Sequence, residues 1–466
     1  MKFLKLSLAA SVALGAFSTA SFAQPLEDAI KGIDVSGYLR YRYNDDRYDA
    51  NEFNKDSVAK SNATHRWKAV ADFKAPVADN VAFNFGILYN NESQNVNHGN
   101  TYPGTSSGLG SGKDGSFGVS TFNAVITPDS TATTVIIGKQ RLATPVTNAG
   151  DDDRGTGILA LNSDLEGFTF AAGAFDSWSI DDLATNAVVS TLGAPAQGYN
   201  SGDNNGISVT KPLYVLAGIY GVDTDYGHFG AQLWGFYIQD IVDGLGFGEL
   251  SWTGSTFNAA LQYAIASLNN DAGDVLSVIH PNGNSAGRAN IPEANDLFVL
   301  NLGADFAKDF GVPLDVKLGW VTNFQDGTAV TLNDDGTAFK YAGAIWWQNN
   351  ATGFSTSALL NRGGYQRFGN EQEVSVFYGA IGYSMVDSRL RIGLDYVWGN
   401  NEITTGNATL YDIDFQEITP RISWKHNKNL TISGYYAYLM TDGPNPVSGN
   451  EDQDRARARV EVKYSF

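Results

Sequence analysis

The last twelve residues, RARARVEVKYSF (455–466), alternate without a break. Phe466, Tyr464, Val462, Val460, Ala458 and Ala456 fall on one side of an extended chain, and Lys463, Glu461, Arg459, Arg457 and Arg455 fall on the other. The same period of two recurs in IDVSGYLRYRY (33–43), HRWKAVADFKA (65–75), VAFNFGILYN (81–90), FGVSTFNAVIT (117–127) and TTVIIGKQ (133–140). It continues in HFGAQLWGFYIQ (228–239), TFNAALQYAIAS (256–267), LFVLNLGADFAK (297–308), PLDVKLGWVT (313–322), VSVFYGAIGYS (374–384) and LRIGLDYVWG (390–399). Each run is about as long as a tilted membrane strand. Periodicity alone allows two folds: a half-buried strand of a soluble sheet, or a barrel strand with lipid outside and water inside.

The connections decide between them. Short turns such as PVADN, PDSTA, DTDYG, KDFG, MVDS and NKN alternate with long polar loops at 44–64, 91–116, 177–211, 267–295 and 441–454. A soluble sandwich has no reason to collect its short turns at one end, whereas an outer-membrane barrel has short periplasmic turns and long external loops. The pattern therefore predicts an all-β, multi-pass transmembrane antiparallel barrel in a bacterial outer membrane. A literal count gives 20 candidate strands; the reading taken is 18, with 16 and 20 as alternatives. The doubtful pair lies in FKYAGAIWWQNNATGFSTSALL (339–360); treating 323–371 as one long loop leaves 18.

Composition agrees with a barrel. Between 24 and 466 no apolar run approaches the length of a transmembrane helix, and 26 Phe, 22 Tyr and 9 Trp supply the aromatic girdles of a barrel wall. Residues 1–23 carry Lys2 and Lys5, an apolar stretch and a small-residue site ending at Ala23, the pattern of a cleaved export signal. Residues 24–466 then form one barrel domain, with no segment resembling a separate globular plug. The chain has no cysteine and a net charge of −19, which becomes more negative by two once the signal is gone. So acidic a protein is a poor partner for nucleic acid and attracts cations.

Several stretches are similar to a known family: KLSLAASVALGAFSTASFA, PLEDAIKGIDVSGYLRYRY, VIIGKQRL and GTGILALNSDLEGFTFAAGAFDSW. They resemble the major outer membrane porin of Campylobacter-type bacteria, most closely over 1–43 and 133–178, while the long loops do not match. The resemblance implies an 18-stranded, trimeric, cation-preferring general porin and favours reading 323–371 as a loop. It also places Asp151 and Asp176 at positions matching acidic metal-contacting residues of the family, which makes calcium a candidate ligand. The family site draws a further acid from the long loop, yet residues 337–361 contain neither Asp nor Glu.

Enzymatic motifs are weak. GTSSG (104–108) and GNSAG (283–287) fit a nucleophile-elbow pattern, but neither joins a strand to a helix as that elbow requires. His65, His98, His228, His280 and His426 have no metal-ligand spacing.

The informative constellation is electrostatic. Arg40 and Arg42 oppose Leu39, Tyr41 and Tyr43; Arg389 and Arg391 oppose Leu390, Ile392 and Leu394; Arg421 opposes Pro420 and Ile422; and Arg455, Arg457 and Arg459 oppose the apolar face of the last strand. Near the bilayer midplane a lipid-facing Arg costs about 2–4 kcal/mol, so these side chains are expected in the lumen. Facing them, the segment RLATPVTNAGDDDRGTG (141–157) falls between the fifth and sixth strands, as a third external loop. Folded inward, it would set Asp151, Asp152 and Asp153 across a constriction from the arginines, a charged ring that discriminates ions by field.

The reading is a general diffusion porin without enzymatic activity, set in lipid and lipopolysaccharide and delivered by the outer-membrane assembly machinery, for which Phe466 is the C-terminal signal. A barrel-anchored adhesin or structural protein is the alternative from another class, with an outer-membrane hydrolase behind it.

Overall fold

In the computed structural model the described residues are 32–48, 61–90, 116–147, 153–179, 211–240, 242–269, 294–327, 341–348, 371–405, 408–443 and 454–466. Eighteen strands run in order through them. The first nine are β1 (Asp34–Tyr48), β2 (Ser61–Ala78), β3 (Val81–Asn90), β4 (Ser116–Ile126), β5 (Thr133–Arg141), β6 (Arg154–Asn162), β7 (Phe168–Ser179), β8 (Leu213–Thr224) and β9 (Gly227–Ile238). The rest are β10 (Val242–Thr253), β11 (Phe257–Leu268), β12 (Ala294–Asp305), β13 (Leu314–Thr322), β14 (Glu371–Met385), β15 (Leu390–Thr405), β16 (Ala408–Lys425), β17 (Leu430–Asp442) and β18 (Arg455–Ser465).

Each strand pairs antiparallel with its sequence neighbours, and β1 pairs with β18 from Tyr38↔Ser465 to Tyr48↔Arg455, which closes the sheet into a barrel. Closure leaves no unpaired edge, the condition for a sheet to stand in hydrocarbon. The stretch 323–370 holds no strand among its described residues, so the count is 18. Residues 341–348 of the doubtful pair form a bent segment and a short 3-10 helix, Trp346–Gln348.

One parity of every wall is apolar and exposed: Leu39, Leu216, Leu233, Leu250, Phe377, Ile381, Leu394, Ile422 and Val460 all point outward. Aromatic rings tie neighbouring strands on this face, with Trp320 stacked on Phe377 at 6.0 Å and Phe377 on Trp398 at 5.9 Å across β13, β14 and β15. At the short-turn rim, carboxylates staple adjacent turns. The Thr131 hydroxyl, with the Ala132 N–H and the Asn162 amide, holds Asp164 below the usual carboxylate pKa. The hydroxyls of Ser255 and Thr256 do the same for Asp309 in the one-turn helix Ala307–Phe310.

The opposite rim differs from expectation in two ways. Strands run further than their alternation suggested, β1 to Tyr48 and β15 to Thr405, because polar residues there still pair while standing clear of the apolar band. Two connections on this rim, 239–241 and 406–407, are themselves short.

The seam is sealed by the last residue. Gly37 N–H donates to the Phe466 carbonyl and Phe466 N–H donates to the Gly37 carbonyl, both at 3.1 Å, and the Phe466 ring stays exposed beside Tyr464. An exposed aromatic at the membrane rim adds little to folded stability, whereas a recognition signal must be displayed before the barrel closes. Phe466→Ser is therefore expected to reduce the yield of assembled protein in the membrane more than it lowers the unfolding midpoint of protein already folded. A normal yield of assembled protein from the mutant would remove the idea.

Candidate functional site: the divided lumen

Register places a basic wall on the inner face of the seam. Arg40 lies between Lys463 and Lys68, and Arg42 between Glu461 and Arg66. Above them Asn44 faces Arg459, Asp46 faces Arg457 and Tyr48 faces Arg455. Neighbouring strands supply partners that pin the guanidinium groups against the wall. Asp46 Oδ1 accepts from Arg457 Nε at 2.6 Å and from Arg455 Nη2 at 3.0 Å, while Glu461 accepts from Arg42 at 2.7 Å. Asn44 accepts from Arg459 Nε at 2.7 Å, and the Tyr435 ring lies 5.3 Å beneath both Arg421 and Arg459. Held in this way, the guanidinium groups lie fixed along the inner face of the seam with little freedom to move.

Much of the remaining inner wall carries an apolar patch, interspersed with buried polar groups such as Gln232, Glu249 and Gln262. Inward residues of β7 to β17, among them Phe175, Val215, Phe236, Phe247, Val299, Val376, Val397 and Leu439, join one buried cluster. Strands such as β8 consequently read as nearly continuous apolar runs, because Tyr214 and Leu216 face out while Leu213 and Val215 face in. A water-filled barrel has no use for such a surface unless something covers it. Two segments do.

The first lies between β5 and β6. Leu142 and Val146 pack into the cluster near Phe175 and Trp178, and Leu142 N–H donates to the Asp153 carbonyl at 2.8 Å. A compact turn holds it: Thr147 Oγ1 donates to the Leu142 carbonyl at 2.5 Å and meets Thr144 Oγ1 at 2.8 Å. The second is 341–348, from the connection between β13 and β14. Ala342, Ala344, Ile345 and Trp346 are buried in the same cluster, and Trp346 stacks on Phe415 at 6.2 Å. Both segments enter the barrel against this apolar patch.

Most of the expected residues come together here. Arg40, Arg42, Arg455, Arg457 and Arg459 share the inner face of the seam. Arg421 Nε donates to Asp395 at 2.6 Å, and Arg391 pairs with Asp315 at 2.6 Å nearer the short-turn rim. Arg389 stands apart: it sits in the turn after β14, with its guanidinium 5.3 Å from the ring of Trp424, which shares the outward parity of Ile422. Its expected place in the lumen assumed that strand alternation runs on through the turn. Asp153 is buried where the inward segment rejoins β6, whereas Asp151 and Asp152 lie outside the described residues.

Asp176 is exposed at a register shift in β7, and among the described residues no three His, Cys, Asp or Glu side chains cluster as a metal site. Both nucleophile-elbow matches, His98, His280 and the export signal also lie outside the described residues.

Sequence reasoning missed the acids that partner the arginines. Asp46 was legible, since YRYNDDRY keeps the alternation past Tyr43 and sets Asn44 and Asp46 on the arginine face. Glu417 and Asp395 share the inward parity of Arg421 and Arg391, but nothing in the sequence marks them as holding the second inward segment. The apolar AGAIWW inside a polar external loop was the available hint.

Comparison with known proteins follows the same lines. The model of the family described as Campylobacter major outer membrane protein matches residues 1–464. No curated protein matches the sequence. Among solved structures, OccAB3 of Acinetobacter baumannii is similar with a TM-score of 0.58 at 12% identity, over 94% of this chain and 100% of that one. A BenF-like porin from Pseudomonas fluorescens gives 0.57 at 13% identity, over 94% and 99%. The outer membrane protein OpdK of Pseudomonas aeruginosa gives 0.56 at 14%, over 93% and 99%. Identities this low speak for the fold alone.

Proposed function

The chain belongs to the Campylobacter major outer membrane protein family and is an outer membrane porin, and from that premise we propose that it is a general diffusion pore with a preference for cations. The observation that carries the diffusion reading is the divided lumen. One wall is charged and polar, the other is covered by inward segments, and a continuous polar face accompanies the seam from Lys463 to Arg455. Small hydrophilic solutes need only such a wet path, and no catalytic arrangement is required of it.

Cation preference rests on charge placement. The basic wall is partly neutralised by Asp46 and Glu461, the chain as a whole carries −19, and Asp153 enters the barrel with the segment that bears two more aspartates. On this reading the arginines shape a transverse field across the constriction, and the acidic loops and mouth set its sign. The mature chain begins after residue 23 and works as a homotrimer in lipid and lipopolysaccharide, having been delivered by the outer-membrane assembly machinery.

Purified protein in a planar bilayer is expected to give large stepwise conductances, with a zero-current potential in a KCl gradient on the cation side. A barrel that served only as an adhesin's anchor would give no steps. Saturable flux of one solute would replace the general reading with a substrate-specific one.

A further inference from the structure

The segment 341–348 is attached to the wall by an arrangement that packing alone does not require. Three successive backbone N–H groups converge on one carboxylate of β16. Ala344 N–H donates to Glu417 Oε1 at 2.5 Å, Ile345 N–H to Oε2 at 3.1 Å and Trp346 N–H to Oε2 at 2.7 Å. The Thr419 hydroxyl donates to Oε1 at 2.6 Å. One residue earlier, Gly343 N–H donates to Asp395 Oδ2 at 2.9 Å, and Arg421 bridges the two, with Nε on Asp395 at 2.6 Å and Nη2 on the Gly343 carbonyl at 2.5 Å.

Glu417 is wholly buried and faces the lumen, since its register partners Val397 and Leu439 are buried while Trp398 and Ile418 are exposed. Gly343 takes φ +85°, a left-handed conformation that turns its neighbours' N–H groups toward the wall. Successive N–H groups turned to one side make an anion-binding concavity, and here the wall supplies the anion.

Such a contact matters because of where it lies. The connection 323–370 is long, and an untethered connection of that length would sample the mouth of the barrel at little cost. The backbone N–H groups of 344–346, once inside an apolar cluster, need an acceptor or the burial is unfavourable. Glu417 is that acceptor, so the carboxylate and the inward position of the loop depend on each other. Neither Asp nor Glu occurs within 337–361, so the acidic groups of this contact come from the wall.

We propose that Glu417, assisted by Asp395 and Arg421, is a positioning residue that clamps segment 341–348 across the lumen and thereby sets the open cross-section of the pore. The consequence for conduction rests on the porin reading; the clamp itself does not. With the clamp in place the passage is narrow and quiet. Without it the segment swings between inward and outward positions, and the channel becomes wider on average and noisier.

The absence of cysteine permits a direct test. Ala344→Cys puts one thiol on the clamped segment, where the native residue is buried. Its labelling rate with a water-soluble methanethiosulfonate is measured with Glu417 intact, with Glu417→Ala and with Glu417→Gln, alongside unitary conductance and polymer exclusion of the cysteine-free proteins in a planar bilayer. Folding of each variant is checked by heat-modifiable gel mobility.

Glu417→Ala is expected to raise labelling at least about tenfold, the change equivalent to losing one hydrogen bond to a charged group. It should also shift unitary conductance upward with more frequent flicker and admit larger polymers. Glu417→Gln, which keeps one acceptor oxygen, should fall between. Wild-type labelling and conductance in a folded Glu417→Ala barrel would overturn the clamp, as would a folded, unaltered Glu417→Gln should the alanine variant fail to fold. Should wild-type protein conduct no current, the porin reading fails while the labelling arm still judges the clamp.

Discussion

Asp46→Ala is expected to destabilise the folded barrel by about 2–3 kcal/mol, just below the range for a broken buried ion pair because water in the lumen softens the loss. The reason is geometric. One oxygen of Asp46 accepts from Arg457 at 2.6 Å and Arg455 at 3.0 Å across the β1–β18 seam, and these side chains are only 11–13% exposed. Removing the carboxylate leaves two guanidinium groups side by side without their shared anion, on a wall that already holds Arg459 and Arg42. The repulsion acts across the strand pair that closes the barrel.

Asp45→Ala is the control. Its partner Arg47 points outward and is 67% exposed, so that pair should contribute ~0–1 kcal/mol. Urea unfolding in detergent, followed by tryptophan fluorescence, separates the two. Equal midpoints for Asp46→Ala and Asp45→Ala would show that the seam does not depend on this carboxylate.

The same residue shows how far the sequence could be read. Lipid on one side and water on the other impose a period of two, so the barrel, its even strand number and the faces of most arginines were visible in the chain. Asp46 follows that period as well, although its strand continues beyond the apolar band into what resembled a loop. Segment 341–348 breaks the rule in the opposite sense. Its apolar residues resemble a poor strand, and they are apolar because they cover the inward apolar patch of β7 to β17. Its wall partners Glu417 and Asp395 lie more than fifty residues along the chain and meet it only after the barrel closes. Contacts of that kind leave no periodic trace. Arg389 fails for a third reason: alternation holds within a strand and stops at the turn.

The largest functional effect is expected from Asp151, Asp152 and Asp153 replaced together by Asn. Asp153 rejoins β6 inside the barrel, and the preceding turn 142–147 is packed on the inner wall, so the three side chains are carried by a segment that enters the lumen at both described ends. On the inner face of the seam Arg40, Arg42, Arg66, Lys68, Arg455, Arg457, Arg459 and Lys463 outnumber Asp46 and Glu461. Taking three negative charges from the chain leaves that basic wall less compensated. The cation-to-anion permeability ratio at 0.1 M salt should fall by roughly three- to tenfold, the low end of what a charge-lined cleft does to local ion concentration. The Debye length is ~10 Å at 0.1 M and ~3 Å at 1 M, so the difference between mutant and wild type should shrink at high salt if wall charge is the cause. A dehydrating filter would keep its selectivity across that range. Zero-current potentials in KCl gradients at two mean concentrations give both readings at once. If the triple mutant keeps wild-type selectivity at low salt, these aspartates do not set the constriction field, and the cation preference must be sought in the charge of the outer loops instead.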